Sequence, residues 1–268
     1  MIGSVFLETL KTTWKQMVYW GVGLAAMAIL VVIMVPLFDM QDMRKLLESF
    51  PPVILAMIGV GKDLEVFATN EGFVAIGFFG KSALIFAVYP VVMGMRITAN
   101  EEDKGTMDVL LSLPVERARV IVEKFLAYGL SCIGVVILIY LGLHLGVILG
   151  GVELDVLRLA EVTFYLIPLL IFIMAVTMLI AVLARRRTVA LGIVTAFVIV
   201  SYMLQTIGTA AEGTVAEPIG AVSFLTYYNA GDILAQGFIW PHIAGFIILS
   251  GLLLVASLFR YERRDIGI

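Results

Sequence analysis

Few residues in this chain could do covalent or metal chemistry, and they do not come together. The only histidines are His144 and His242, and neither has a second ligand at metal-binding spacing. The one cysteine, Cys132, sits inside an apolar run and has no partner within the chain for a disulfide. No GxSxG, HExxH or paired His/Asp arrangement occurs. Gly59-Val60-Gly61-Lys62-Asp63 imitates a phosphate-binding loop, but the required first glycine is replaced by Ala56, and Asp63 stands where Ser or Thr should follow the lysine. We therefore expect no catalytic residue, no metal site, no bound cofactor and no nucleic-acid partner. An integral membrane enzyme acting on lipids would need a clustered acid/base or metal set, and the sequence offers none. Energy for any driven process must come from another protein.

The positions with the strongest local pattern lie instead between Ile97 and Lys124. Glu101, Glu102 and Asp103 lead into Lys104-Gly105-Thr106. Met107, Leu110 and Leu111 follow at i, i+3, i+4 and would form one apolar stripe on a two-turn helix. Thr106 can cap its start, and the preceding carboxylates suit the positive end of the helix dipole. Pro114 cannot continue this helix but fits the first turn of a second one. There Val115, Ala118, Val122 and Leu126 make a stripe that continues into the next apolar run, with Glu116, Arg117 and Arg119 facing away. A helix of two turns does not hold itself together in water, so it must dock on lipid headgroups or on a partner.

The elements that carry this segment are membrane helices. The chain is 61% hydrophobic and 15% charged, with a mean hydropathy of +1.05, whereas a soluble domain is about one-quarter charged. The apolar runs are continuous over the ~20 residues that a spanning helix needs, which favours helices over a barrel. Six spans are expected, at 18–38, 73–97, 122–149, 160–184, 188–208 and 240–259. The run 18–38 follows Lys11 and Lys15 and is long enough to span, so we expect a retained first span rather than a cleaved leader. Ahead of it, residues 1–17 read as an amphipathic surface helix, with Phe6, Leu10, Trp14 and Met17 on one face and Glu8, Lys11, Thr12 and Lys15 on the other. The whole of 1–268 forms a single all-α membrane domain.

Six spans put both termini on one side. With the termini inside, the inner segments hold Lys11, Lys15, Arg96, Lys104, Arg117, Arg119, Lys124, Arg185, Arg186, Arg187, Arg260, Arg263 and Arg264, against only Arg44, Lys45, Lys62 and Arg158 outside. That asymmetry sets the orientation: both termini and segment 98–121 are cytoplasmic. The outer loops are 39–72, one or two surface helices broken at Pro51-Pro52, and 209–239, an aromatic-rich turn free of Lys and Arg. Inside the membrane, Lys81 in the second span and Tyr202 and Gln205 in the fifth are candidates to line a pathway. Gly142, Gly146 and Gly150 give the third span a small-residue face for close packing, within the chain in preference to a dimer seam. His144 between them is expected to be a hydrogen-bonded packing residue.

The inner segment resembles that of ATP-binding-cassette permeases of the type-2 exporter class. The resemblance rests on Glu101-Glu102-Asp103-Lys104-Gly105-Thr106, Leu110-Leu111-Ser112-Leu113-Pro114-Val115-Glu116-Arg117, and Lys124. It extends to the surface helix before six spans, Phe50-Pro51-Pro52, Glu71-Gly72-Phe73, the Arg-rich turn between spans four and five, and Tyr227-Tyr228. Phe50-Pro51 and Glu116 depart from the family's usual Met-Pro and small or polar residue. The resemblance implies a permease that forms the translocation pathway as a dimer, homomeric or heteromeric, in the plasma or inner membrane of a bacterium or archaeon. It implies two copies of a separate ATPase subunit that bind Mg-ATP. Segment 98–121 would be the coupling element, with Glu101, Glu102, Gly105, Thr106, Leu110, Leu111, Pro114 and Arg117 meeting the ATPase. Within the same fold, the chain could instead pass ATPase motion to an accessory protein docked on 39–72 and 209–239.

Overall fold

The computed structural model describes residues 4–51, 54–55, 66, 69–98, 117–184, 186–211 and 214–263. Every long element among them is a helix. Helix α1 runs Ser4–Met34 and a 3-10 turn, Val35–Leu37, ends it at Pro36. Helix α2 is Met40–Glu48, opened by the Asp39 side chain accepting from Gln41 N and ending before Pro51. Helix α3, Asn70–Val74, is capped by Thr69 and continues as a π-helical segment, Ala75–Gly80, and then as α4, Lys81–Ile97. Helix α5 is Arg117–Gly150, α6 is Val156–Phe164, α7 is Leu166–Leu183 and α8 is Arg187–Ala210. Two 3-10 helices, Glu217–Val222 and Phe224–Tyr227, precede α9, Ala230–Gln236, and α10, Trp240–Glu262.

Five of these stretches are long and apolar enough to cross a membrane: Val5–Leu37, Ala118–Gly150, Val156–Leu183, Arg187–Ala210 and Trp240–Glu262. Asn70–Gly80 and Leu84–Ile97, bent by 43° where the π segment ends, meet the same criterion only when taken together as one bent span. The chain is thus a multi-pass helical membrane protein.

One expectation changes. The surface helix over 1–17 is not a separate element, because α1 passes unbroken from Ser4 through the first span. Its 31 residues rise about 46 Å, longer than a ~30 Å hydrocarbon core. Thr9 and Thr13 face the protein here, while Trp14 is 52% exposed. Of the stripe Val115, Ala118, Val122, Leu126, the first lies outside the described residues, and Ala118 and Val122 are half-buried on α5. Ile121, Lys124, Phe125 and Tyr128 are buried, and Leu126 is exposed. In lipid an apolar side chain need not turn inward, so periodicity alone does not choose the packed face.

Two ends of the bundle can be distinguished. At one, α4 ends and α5 begins, Met95 packs with Ala181 and Ala190, and the cations Lys11, Lys15, Arg96, Arg119, Arg186, Arg187, Arg260 and Arg263 gather. We call this the basic end. At the other, Glu71 Oε1 accepts from Asp155 N at 2.9 Å, and Tyr165 Oη donates to Ile239 O.

Candidate functional site

Residues 99–116 lie outside the described residues, and with them Glu101, Glu102, Gly105, Thr106, Leu110, Leu111 and Pro114. Arg117 is the first residue of α5. What the structure describes is how the two flanks of this segment are rooted. On one side Met93, Ile97 and Thr98 are fully buried at the end of α4. Gly94 allows α4 to lie directly on α7: a Cβ there would stand 2.8 Å from Met174 O and 2.7 Å from Thr177 Cβ. On the other side Ile121, Lys124 and Phe125 are buried in the first turns of α5. Glu123, 13% exposed, pairs with Arg119 at 3.0 Å and accepts from Phe6 N at 3.1 Å. Both ends of the segment therefore join helices whose terminal turns are buried in the core.

The glycine face of α5 packs on α1. A Cβ on Gly142 would come within 2.6 Å of Ala25 Cα, and one on Gly146 within 2.9 Å of Val32 Cβ. This is the intramolecular contact expected from the four-residue spacing. His144, in contrast, points outward rather than into that contact. His242 is half-buried, its ring edge-on to Tyr227 at 5.1 Å between centroids. Among the described residues no group of three or more His, Cys, Asp or Glu is placed to hold a metal.

Tyr202 and Gln205 meet a structure the sequence did not indicate. The segment after α8 folds back into the bundle instead of lying on its surface. Ser223 Oγ donates to Ser201 O at 2.6 Å, and Gln205 Nε2 donates to Leu225 O at 2.9 Å. Ser201 lies nine residues before the end of α8 at Ala210, about 13 Å along the axis. Gly208 and Gly220 touch backbone to backbone. Phe224 is stacked on Phe197 at 5.1 Å and meets Phe172 at 5.5 Å, which in turn meets Phe246 at 5.4 Å. This row of rings joins the folded-back segment to α7, α8 and α10. The 3-10 backbone at this depth is tolerated because side chains satisfy its polar groups: Gln205 on α8 donates to Leu225 O, Thr226 donates to Gly220 O within the segment, and Ser223 donates back to Ser201 O of α8. Tyr202 is half-buried beside it, its carbonyl accepting from Thr206 Oγ1. Burial pushes the Tyr228 phenol well above its ordinary pKa, so it stays a neutral donor to Val162 O. The available sequence signal was the absence of Lys and Arg from 209–239, together with Gly220, Ser223 and the apolar pair Phe224-Leu225. Lys81 opens α4 at the bend of the second span, with its side chain outside the described part.

Residues 9–266 match the family model described as ABC-2 family transporter protein. No curated protein matches the chain, and no solved structure does. With nearly its whole length covered by that model, and with long apolar helices able to cross a membrane, the chain belongs to the ABC-2 transporter family as a membrane permease subunit.

Proposed function

We propose that this permease forms the translocation pathway of an ATP-driven exporter as a dimer, and that two separate cytosolic ATPase subunits drive it with Mg-ATP. The basic end faces the cytosol with both termini, in the plasma or inner membrane of a bacterium or archaeon. Segment 98–121 is the coupling element: Leu110 and Leu111 insert into a groove of the ATPase, and Glu101 and Arg117 make polar contacts at its rim. Glu102, Gly105, Thr106 and Pro114 shape the element that presents them. The chain itself has no catalytic chemistry.

The observation that carries this function is the rooting of the segment's two flanks. Ile97 and Thr98 on α4 and Ile121 and Phe125 on α5 are all buried, so the segment is tied at both ends to helices that cannot yield independently. A push from below therefore becomes a movement of α4 and α5.

The test is co-expression with a candidate P-loop ATPase, sought first in the neighbouring open reading frame, followed by co-purification through a tag on the permease. Leu111→Asp places a charge on the docking stripe and is expected to abolish ATPase association while leaving the permease in the membrane. Unchanged co-purification by this variant rejects the docking role of Leu111, and failure of the unaltered chain to retain any ATPase rejects the function.

A further inference from the structure

Helices α1 and α5 run parallel and hold one register along their shared length. Met17 meets Gly134, Gly21 meets Leu138, Ala25 meets Gly142, Ile29 meets Gly146 and Ile33 meets Gly150. In each pair the partner lies 117 residues further along the chain, the offset also shown by the hydrogen bond from Phe6 N to Glu123 Oε2. Contacts so close, at every fourth residue, leave no path for one helix to slide along the other. A shift of either helix by one residue would drive side chains into backbone at Gly142 and Gly146.

The glycine contacts begin only at Met17. Below that point α1 extends toward the basic end with Thr9 and Thr13 as its buried residues. Its first turn contains no acidic residue of its own. The N–H of Phe6 is among the first four of the helix, which have no acceptor within it. A carboxylate from another helix supplies that acceptor, at the positive end of the α1 dipole. Arg119, one turn earlier on α5, holds the other oxygen of the same carboxylate at 3.0 Å.

We propose that Glu123 is a positioning residue that clamps the first turn of α1 to the root of α5, so that the two helices move as one lever when the coupling segment is displaced. This inference rests on the coupling function proposed above. Glu123 stands less than two turns from Arg117, where α5 leaves that segment. The clamp therefore lies where the push enters, and the glycine contacts carry the movement along the rest of the span.

The experiment separates the clamp from the coupling function. Hydrogen exchange of the Phe6 amide is measured on the full chain in nanodiscs. Glu123→Ala is expected to speed it about tenfold or more, the loss of one charge-assisted bond. Glu123→Gln, which keeps an acceptor oxygen, is expected to retain most of the protection. An unchanged rate in Glu123→Ala overturns the clamp. Spin labels are then placed at positions 15, 126 and 187 in a Cys132→Ser background, in the complex with the ATPase subunit. On adding Mg-ATP and vanadate, the 15–187 and 126–187 distances are expected to change together while 15–126 stays fixed. A 15–126 distance that changes as much as the other two overturns the lever. In Glu123→Ala the 15–126 distribution is expected to broaden. Distances to position 187 that do not respond in the unaltered complex overturn the coupling function itself, whatever the exchange rates show.

Discussion

The Ser223 hydroxyl lies 2.6 Å from the carbonyl oxygen of Ser201, and one turn further along α8 the Gln205 amide returns a bond to Leu225 O at 2.9 Å. The two bonds staple a segment of two short 3-10 helices to the middle of a membrane helix, one donated from each side. Interhelical hydrogen bonds in membranes average about 0.6 kcal/mol and reach about 1.7. Gln205→Ala and Ser223→Ala are each expected to cost about 1 kcal/mol. Their double variant should cost less than the sum, because the second loss acts on a segment already loosened. Thermal unfolding of the four proteins in one detergent measures the coupling.

Gly208 and Gly220 define the closest approach of the same segment to α8. Gly208→Val puts branched carbon into the Gly220 backbone, which has no side chain to move aside. We expect a loss of about 3 kcal/mol or more, or failure to accumulate in the membrane. Gly220→Ala, whose Cβ would stand 3.0 Å from Gly208 Cα, should be milder. The two variants are compared by membrane yield and melting temperature.

Gly142 and Gly23 lie on the same pair of helices and should respond oppositely. A Cβ at position 142 meets Ala25 Cα at 2.6 Å, whereas one at position 23 meets nothing within 4 Å. Gly142→Leu is expected to separate α1 from α5 and to destabilise by several kcal/mol, and Gly23→Leu to stay within about 0.5 kcal/mol of the parent. Equal effects would show that the face around Gly23 is also packed.

Gly237 ends α9 at φ +75° and ψ −152°, a conformation open essentially to glycine alone. A side chain there would also approach the Glu161 carboxylate, whose Oε2 lies 3.4 Å from the Cβ position. Gly237→Ala is expected to cost about 1–3 kcal/mol, a backbone effect. Gly237→Asn should recover little of it, since ψ is also outside the left-handed helical region. Melting temperatures of both variants decide this.

The amino-acid sequence alone determined that this is a helical membrane protein, where most of its spans lie and which residues interrupt them. Hydrophobic runs of spanning length and the clustering of Lys and Arg are properties of composition along the chain, and they do not depend on what touches what. The glycine face of α5 was legible for a related reason, since a repeat of small residues every four positions has little use other than close packing.

The tertiary structure decided which faces meet. In water, burial sorts polar from apolar residues and leaves a periodic trace. In lipid, Leu126 is as well placed outside as Ile121 is inside, so the apolar spacing of Ala118, Val122 and Leu126 did not say which face of α5 packs. That α1 runs unbroken from Ser4 into the first span, with Thr9 and Thr13 buried and Phe6 N bonded to Glu123 of a helix 117 residues away, was visible only in the structure. The depth of the segment after α8 rested likewise on bonds from Gln205 and Ser223 to backbone atoms. Such bonds are read from positions in space, because a carbonyl oxygen is present at every residue and marks none.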